Sequence, residues 1–215
     1  MLPYFHQSQS KELLKKHGFS KIATLIVSET SKWPDWFRWN EYAPHAQGPS
    51  LPNGQPIDIE KTKNAASSLL REYLDLISRS EPNERLVWLG FALHLVQDLA
   101  VHQGRTNDEH AWQIFLGLPN PDLNLRGLRQ GKLYGARLLQ HIERAFSKDE
   151  YEKLCTSTGA HLLSNPEQTA LLGPRDFSWG SMIGFAKIGL RYPFLRSEWK
   201  HIRWDTEQVL RDGLK

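Results

Sequence analysis

Three residues of one apolar run have the types and spacing to hold a metal ion together. His94, Asp98 and His102 lie four apart within residues 86–104, LVWLGFALHLVQDLAVHQG. At about 100° per residue, that spacing predicts a single stripe along a helix. Nearly every other residue of the run is Leu, Val, Phe, Ala or Trp, so the helix is expected to be buried. Two imidazoles and a carboxylate in such a core cost on the order of several kcal/mol unless each is paired or bound to a cation. Imidazole nitrogen and carboxylate oxygen suit hard-to-borderline divalent ions, and a hydrolytic site keeps one coordination position for water. An ion of this kind lowers the pKa of its water from about 15.7 towards 7, which supplies hydroxide at neutral pH. The competing interpretation is a buried His94–Asp98 pair whose hydrogen bonds Gln97 completes.

The elements that position this stripe read as helices. Ser10 is a cap for a helix from Lys11 to about Ser28, with Leu14, Ile22, Leu25 and Ile26 on its apolar face. From Thr30 to Pro56 the chain carries Pro34, Pro44, Pro49, Pro52 and Pro56, which disfavour continuous helix and exclude a central strand. Connections this long are usually functional or disordered, and Trp33, Trp36, Phe37, Trp39 and Tyr42 favour order. Asp58 caps a second helix through about Ser80 with Ala65, Leu69, Tyr73, Leu76 and Ile77 inward, and Pro82 opens the third, which bears the stripe. Gly104 stops it. Thr106 or Asn107 caps a short helix whose first turn holds Asp108, Glu109 and His110, so His110 sits near a chain reversal. Further helices fit Leu125 to Phe146, a segment from Ser147 with a Ser147/Glu150 capping box, Asp176 to Leu190 and Arg196 to Leu214, with another short start at Asn165-Pro166-Glu167. Period-two strand patterns are absent. The expectation is an all-α, single-domain multi-helix bundle over residues 1–215 with a long Pro/Trp-rich loop after the first helix.

Composition sets the outer bounds. The 215 residues are 40% apolar with eight Trp, enough for a sizeable core. A net charge of +3 argues against binding nucleic acid mainly by counterion release, yet permits an anionic small substrate. The single Cys155 excludes an intrachain disulfide framework and reads as a packed thiol. MLPYFHQSQSKELLKK has no basic region followed by an apolar core and cleavage site, which points to a cytoplasmic chain. No run of about 18 uninterrupted apolar residues predicts a transmembrane helix.

GFALHLVQDLAVHQG and the upstream WPDWFRWNEYAPHAQ together resemble the zinc-dependent phospholipase C family, whose relatives include the fungal single-strand-specific nucleases and 3′-nucleotidases. In that family a buried helix supplies His-x-x-x-Asp, and an early loop supplies Pro-Asp with a His shortly after. The resemblance covers roughly residues 10 to 115. It implies that Asp35, His45, His94 and Asp98 form a first metal site, with Asp98 also bridging to a neighbouring ion. The family's next His would fall on Gly104, so His102 or His110 would serve the second site. The carboxylate that follows would fall on Ile114, so Asp108 or Glu109 would substitute. A third ion in those relatives uses an N-terminal tryptophan and a helix His. This chain has no Trp before Trp33, and His17, then His6, would stand for that His.

Beside the metal residues, Trp36 and Trp39 could line a substrate pocket, although aromatic clusters more often anchor a core. Arg105, just past the metal helix, could hold a phosphate or simply be solvated. Arg126, Arg129, Lys132 and Arg137 form a basic stretch, as do Lys187, Arg191, Arg196, Lys200 and Arg203; these read as solvated faces that nucleic acid or phospholipid headgroups could also meet. The expected activity is a metal-dependent hydrolase of phosphoric esters, lipid or nucleotide, with one, two or three zinc ions and Asp35 orienting or deprotonating the attacking water. Two alternatives use the same residues: an iron-dependent oxygenase or other tailoring enzyme, and a non-enzymatic helical binding protein whose polar stripe is a hydrogen-bond network.

Overall fold

In the computed structural model, residues 2–38, 41–48, 58–115, 121–159, 183, 187, 190 and 203–215 are described. The chain is an all-α multi-helix fold. Helices α1 (Pro3–Lys16), α2 (Lys21–Thr30), α3 (Trp33–Phe37), α4 (Ile59–Arg79), α5 (Pro82–His102), α6 (Asn107–Phe115), α7 (Leu125–Ala145), α8 (Lys148–Thr156) and α9 (Thr206–Gly213) follow in order, with a 3-10 turn at Pro121–Leu123 before α7. Among the described residues the only extended pairing is an isolated parallel bridge between Gly48 and Thr106. No helix among them is long and apolar enough to cross a membrane.

Helix α5 is the axis. Every residue from Leu86 to His102 is buried, because α2, α4 and α7 pack around it. This enclosure explains the absence of a polar face: a helix apolar all round is one surrounded by protein. Gly90 lets the end of α2 come into contact, since a Cβ there would collide with Thr30 Oγ1. Four residues further along α5, one turn on, stands His94. Gln103 and Gly104 then take left-handed conformations (φ 55° and 77°) and reverse the chain.

Local signals account for most helix starts. Asp58 accepts from Lys61 N–H (2.9 Å), Thr106 Oγ1 from Glu109 N–H (3.1 Å), and Ser147 and Glu150 form the reciprocal capping box. The inward face of α4 is Ala66, Leu70, Tyr73 and Ile77; Leu69 and Leu76 lie at its flank, rotated by packing against both α5 and α9.

Two expectations are corrected at the N-terminal end. The helix expected over Lys11–Ser28 is two helices, because Ser20 caps α2 by accepting from Ala23 N–H (3.1 Å). Ser10 is no cap: it is buried inside α1 and accepts from Gln97 Nε2 (3.2 Å). The Pro/Trp-rich connection contains α3, whose Trp33 and Phe37 pack edge to face in the core. Near the C-terminus, residues 203–205 are not helical and α9 begins at Thr206 under an Asp205 cap, so the expected Arg196–Leu214 helix is not continuous, and Arg196 itself lies outside the described residues. The expected start at Asn165-Pro166-Glu167 and most of the Asp176–Leu190 helix lie outside the described residues.

Candidate metal centre

Two clusters of metal-type ligands lie along α5. In the first, His6, Asp35, His94 and Asp98 each offer a ligand atom, all within 4.8 Å of one another. His45 joins them: its Nδ1 is 3.3 Å from Asp98 Oδ2, 3.7 Å from Asp35 Oδ1 and 3.1 Å from His94 Nε2. Asp98 divides its oxygens, with Oδ1 3.1 Å from His6 Nε2 and Oδ2 3.1 Å from His94 Nε2. In the second cluster, Asp122 Oδ1 is 3.0 Å from His102 Nε2 and 3.1 Å from His110 Nε2.

Each side chain is delivered by a different local device. Helix α1 lays His6 flat on His94, ring centroids 3.9 Å apart. The anchored rings of Trp33 and Phe37 fix α3, which carries Asp35 in its first turn. Main-chain bonds hold the 41–48 loop against the end of α5: Gly104 N–H donates to Ala46 O (3.0 Å) and Gly48 N–H to Arg105 O (2.9 Å). Ala46 adopts φ 48°, a left-handed conformation costing roughly 1 kcal/mol for a residue with a Cβ. The bend turns the His45 ring to the first cluster while its carbonyl accepts from His102 (2.6 Å).

The hydrogen-bond partners decide where the ring protons sit. His94 Nδ1 lies 2.9 Å from Ser31 O, His45 Nε2 3.1 Å from Arg38 O, and His102 Nδ1 2.6 Å from His45 O. A carbonyl only accepts, so each of these nitrogens carries the hydrogen. His6 Nδ1 lies 2.8 Å from Gln97 Oε1, and Gln97 spends its amide on Ser10, so the same assignment holds. In its neutral form each ring therefore aims a bare lone pair at a carboxylate. Consistently, His6 Nε2 and Asp35 Oδ2 are buried atoms without a hydrogen-bond partner.

Protonation does not remove the conflict at His94 or His102. Burial holds His94 well below the ordinary imidazole range and pushes His102 down to about 4. Asp98 and Asp122 are depressed: burial works to raise them, but the positive charge and hydrogen-bond donors around them outweigh it. His45 is raised, because Asp98 and Asp35 overcome its burial. Burial pushes the Asp35 carboxyl up to about 6. Neutral His94 and His102 thus face ionised Asp98 and Asp122 across gaps of 3.0–3.1 Å, an acceptor-to-acceptor arrangement that a cation resolves. A ligating His whose other nitrogen donates to a carbonyl is the usual outer-shell pattern of a metal site. The donor set fits a divalent ion in both clusters.

The structure thus brings together Asp35, His45, His94 and Asp98, and joins His102 with His110. It places His6 in the first cluster, whereas His17 lies apart, its Nδ1 3.6 Å from Glu143 Oε2. Arg105 is held by Glu109 (3.3 Å) and by Val101 O (3.2 Å). Glu109 faces Arg105 and Arg203 and is not the second cluster's carboxylate. Trp36 packs beneath Lys32, 5.2 Å from its ring centroid, against the core. Trp39 and the Asp108 side chain lie outside the described residues. Asp122, which no spacing rule singles out, has one signal in the sequence: it is an Asp within PNPDLN, twelve residues past His110 and just before α7. No protein-family model, curated protein or solved structure matches the chain.

Proposed function

We propose that the protein is a metal-dependent hydrolase of phosphoric esters that holds zinc at His6, Asp35, His45, His94 and Asp98 and at His102, His110 and Asp122. The observation that carries this reading is the set of carbonyl-locked histidines aiming bare nitrogens at ionised carboxylates in two adjacent clusters. It agrees with the resemblance of the two quoted segments to the zinc-dependent phospholipase C and nuclease family. Bound divalent ions supply Lewis acidity there, lowering the pKa of water towards about 7 and offsetting charge on phosphoryl oxygens.

The chain's own residues divide the remaining work. Asp98, with one oxygen towards His6 and the other towards His94 and His45, serves both halves of the first cluster. Asp35 uses Oδ1 towards His45, which leaves its unpartnered Oδ2 to orient a water and accept its proton. Main-chain carbonyls of Ser31, Arg38 and His45 hold the imidazole rings in place, so little reorganisation is needed on binding substrate.

The test is elemental analysis after mild purification, paired with turnover of bis(p-nitrophenyl) phosphate before chelation, after it, and after zinc is restored. Zinc in the protein, activity lost with the metal and recovered on its return are expected. His94→Ala should lose both while keeping its helical circular dichroism, and Asp122→Ala should lose the second cluster's ion alone. Iron together with oxygen consumption, or a metal-free chain, would overturn the proposal.

A further inference from the structure

We propose that the end of the bundle beside Asp122 is a docking face for an anionic phospholipid surface, which presents headgroup phosphoesters to the His102/His110/Asp122 cluster. Binding stands on the surface itself; the presentation of a phosphoester rests on the hydrolase reading.

Large apolar side chains crowd this end in the open. Leu123 is 53%, Leu125 69% and Tyr4 71% exposed, with Leu2 and Leu133 exposed as well. Leu123 follows Asp122 directly in the 3-10 turn: one residue is buried against His102 and His110, the next is in solvent. Helix α1 contributes from the same end, because Phe5 packs with Val101 and Leu128 and Gln9 Nε2 donates to Leu128 O (2.9 Å). Along α7, Leu125, Arg129 and Leu133 recur at i+4 spacing on one exposed stripe, with Arg126 beside them.

The charge on this face selects the partner. Among the described residues neither Arg126 nor Arg129 has a carboxylate partner, while the neighbouring Lys132 is tied to Glu12 (2.6 Å). Unpaired arginines interleaved with exposed leucines suit the boundary between phosphate headgroups and acyl chains, where the aliphatic stems insert and the charges stay with the phosphates. A second copy of the chain would bring like charges together. A single-stranded nucleic acid would want aromatic platforms for its bases, and among the described residues Tyr4 is the one exposed aromatic at this end.

The experiment is co-sedimentation of the purified full chain with vesicles of phosphatidylcholine alone and of equal parts phosphatidylcholine and phosphatidylglycerol. Binding to the mixed vesicles is expected to exceed binding to phosphatidylcholine and to weaken with salt. Leu123→Ser with Leu125→Ser should lower partitioning by about tenfold or more. Arg126→Gln and Arg129→Gln should each lower it about fivefold. Every variant should keep its circular dichroism and its turnover of soluble bis(p-nitrophenyl) phosphate, while hydrolysis of vesicle lipid falls with binding. No binding to mixed vesicles, binding indifferent to the leucine pair, or retention of a single-stranded oligonucleotide governed by the arginines alone would each overturn the docking face. Vesicle binding without turnover of either ester would uphold the face and remove the hydrolase reading; soluble-ester turnover without vesicle binding would do the reverse.

Discussion

Asp98→Asn separates a metal centre from a core held by ion pairs, because the two predict opposite changes in the metal-free protein. In the native chain the buried carboxylate lies 3.1 Å from His6 Nε2, 3.1 Å from His94 Nε2 and 3.3 Å from His45 Nδ1. The opposite nitrogens of those rings already donate to carbonyl-type oxygens, so once His45 is also neutral, at alkaline pH, these three bring no hydrogen of their own. An asparagine places a neutral amide with two donors among them, so under chelator the variant should be at least as stable as the native chain. With metal the order reverses. An ion at 100 times its dissociation constant stabilises the native protein by about 2.7 kcal/mol, or about 5–10 °C in Tm for a domain of this size, and the variant should show little of this rise. Thermal melts with excess zinc and after chelation, with elemental analysis of the same samples, measure both effects. Chelated Asp98→Asn weaker than native by about 3–5 kcal/mol, the loss when one partner of a buried ion pair is removed, would refute the argument. So would full metal content in the variant.

Three further substitutions or treatments test the scaffold. Gly104→Ala should lower stability by about 2 kcal/mol or more, because φ is 77° and a Cβ would collide with the Trp204 indole; an unchanged urea midpoint would be incompatible with that contact. Glu109→Ala leaves Arg105 and Arg203 facing each other and should cost about 2 kcal/mol, below the fully buried value because Arg203 is partly exposed; a loss under a few tenths in urea unfolding would show the triad to be incidental. Burial pushes the Cys155 thiol up to about 11, so iodoacetamide at pH 8 should label the folded protein roughly two-hundredfold more slowly than the unfolded chain. Comparable rates by mass spectrometry would contradict the buried placement.

What the sequence disclosed was local. The caps at Asp58 and Ser147, proline in the first turn of α5 and the all-apolar character of residues 86–102 each act within a few residues, so their helices were legible. Registry between helices was not. His6 and His17 both sit near α1, and only the docking of α1 on α5 decides that His6 reaches Asp98 while His17 meets Glu143. Ser10 has the chemistry of a cap, yet its hydroxyl meets Gln97 in another helix. Asp122 returns to His102 past α6, which itself carries His110, and no ligand-spacing rule anticipates the length of such a detour. The carbonyls that set the ring tautomers are equally silent, since every residue has one. Residue types marked the candidate ligands; hydrogen bonds, mostly to the main chain, determine which nitrogen each presents.

The peptide of His45 belongs to both clusters, with its ring in the first and its carbonyl on His102 of the second. A shift of that ring would carry the adjacent carbonyl with it and press on the His102 imidazole of the second cluster. The two clusters thus share one mechanical link, the His45 peptide. Altering the loop at Ala46 or Gln47 would retune both together.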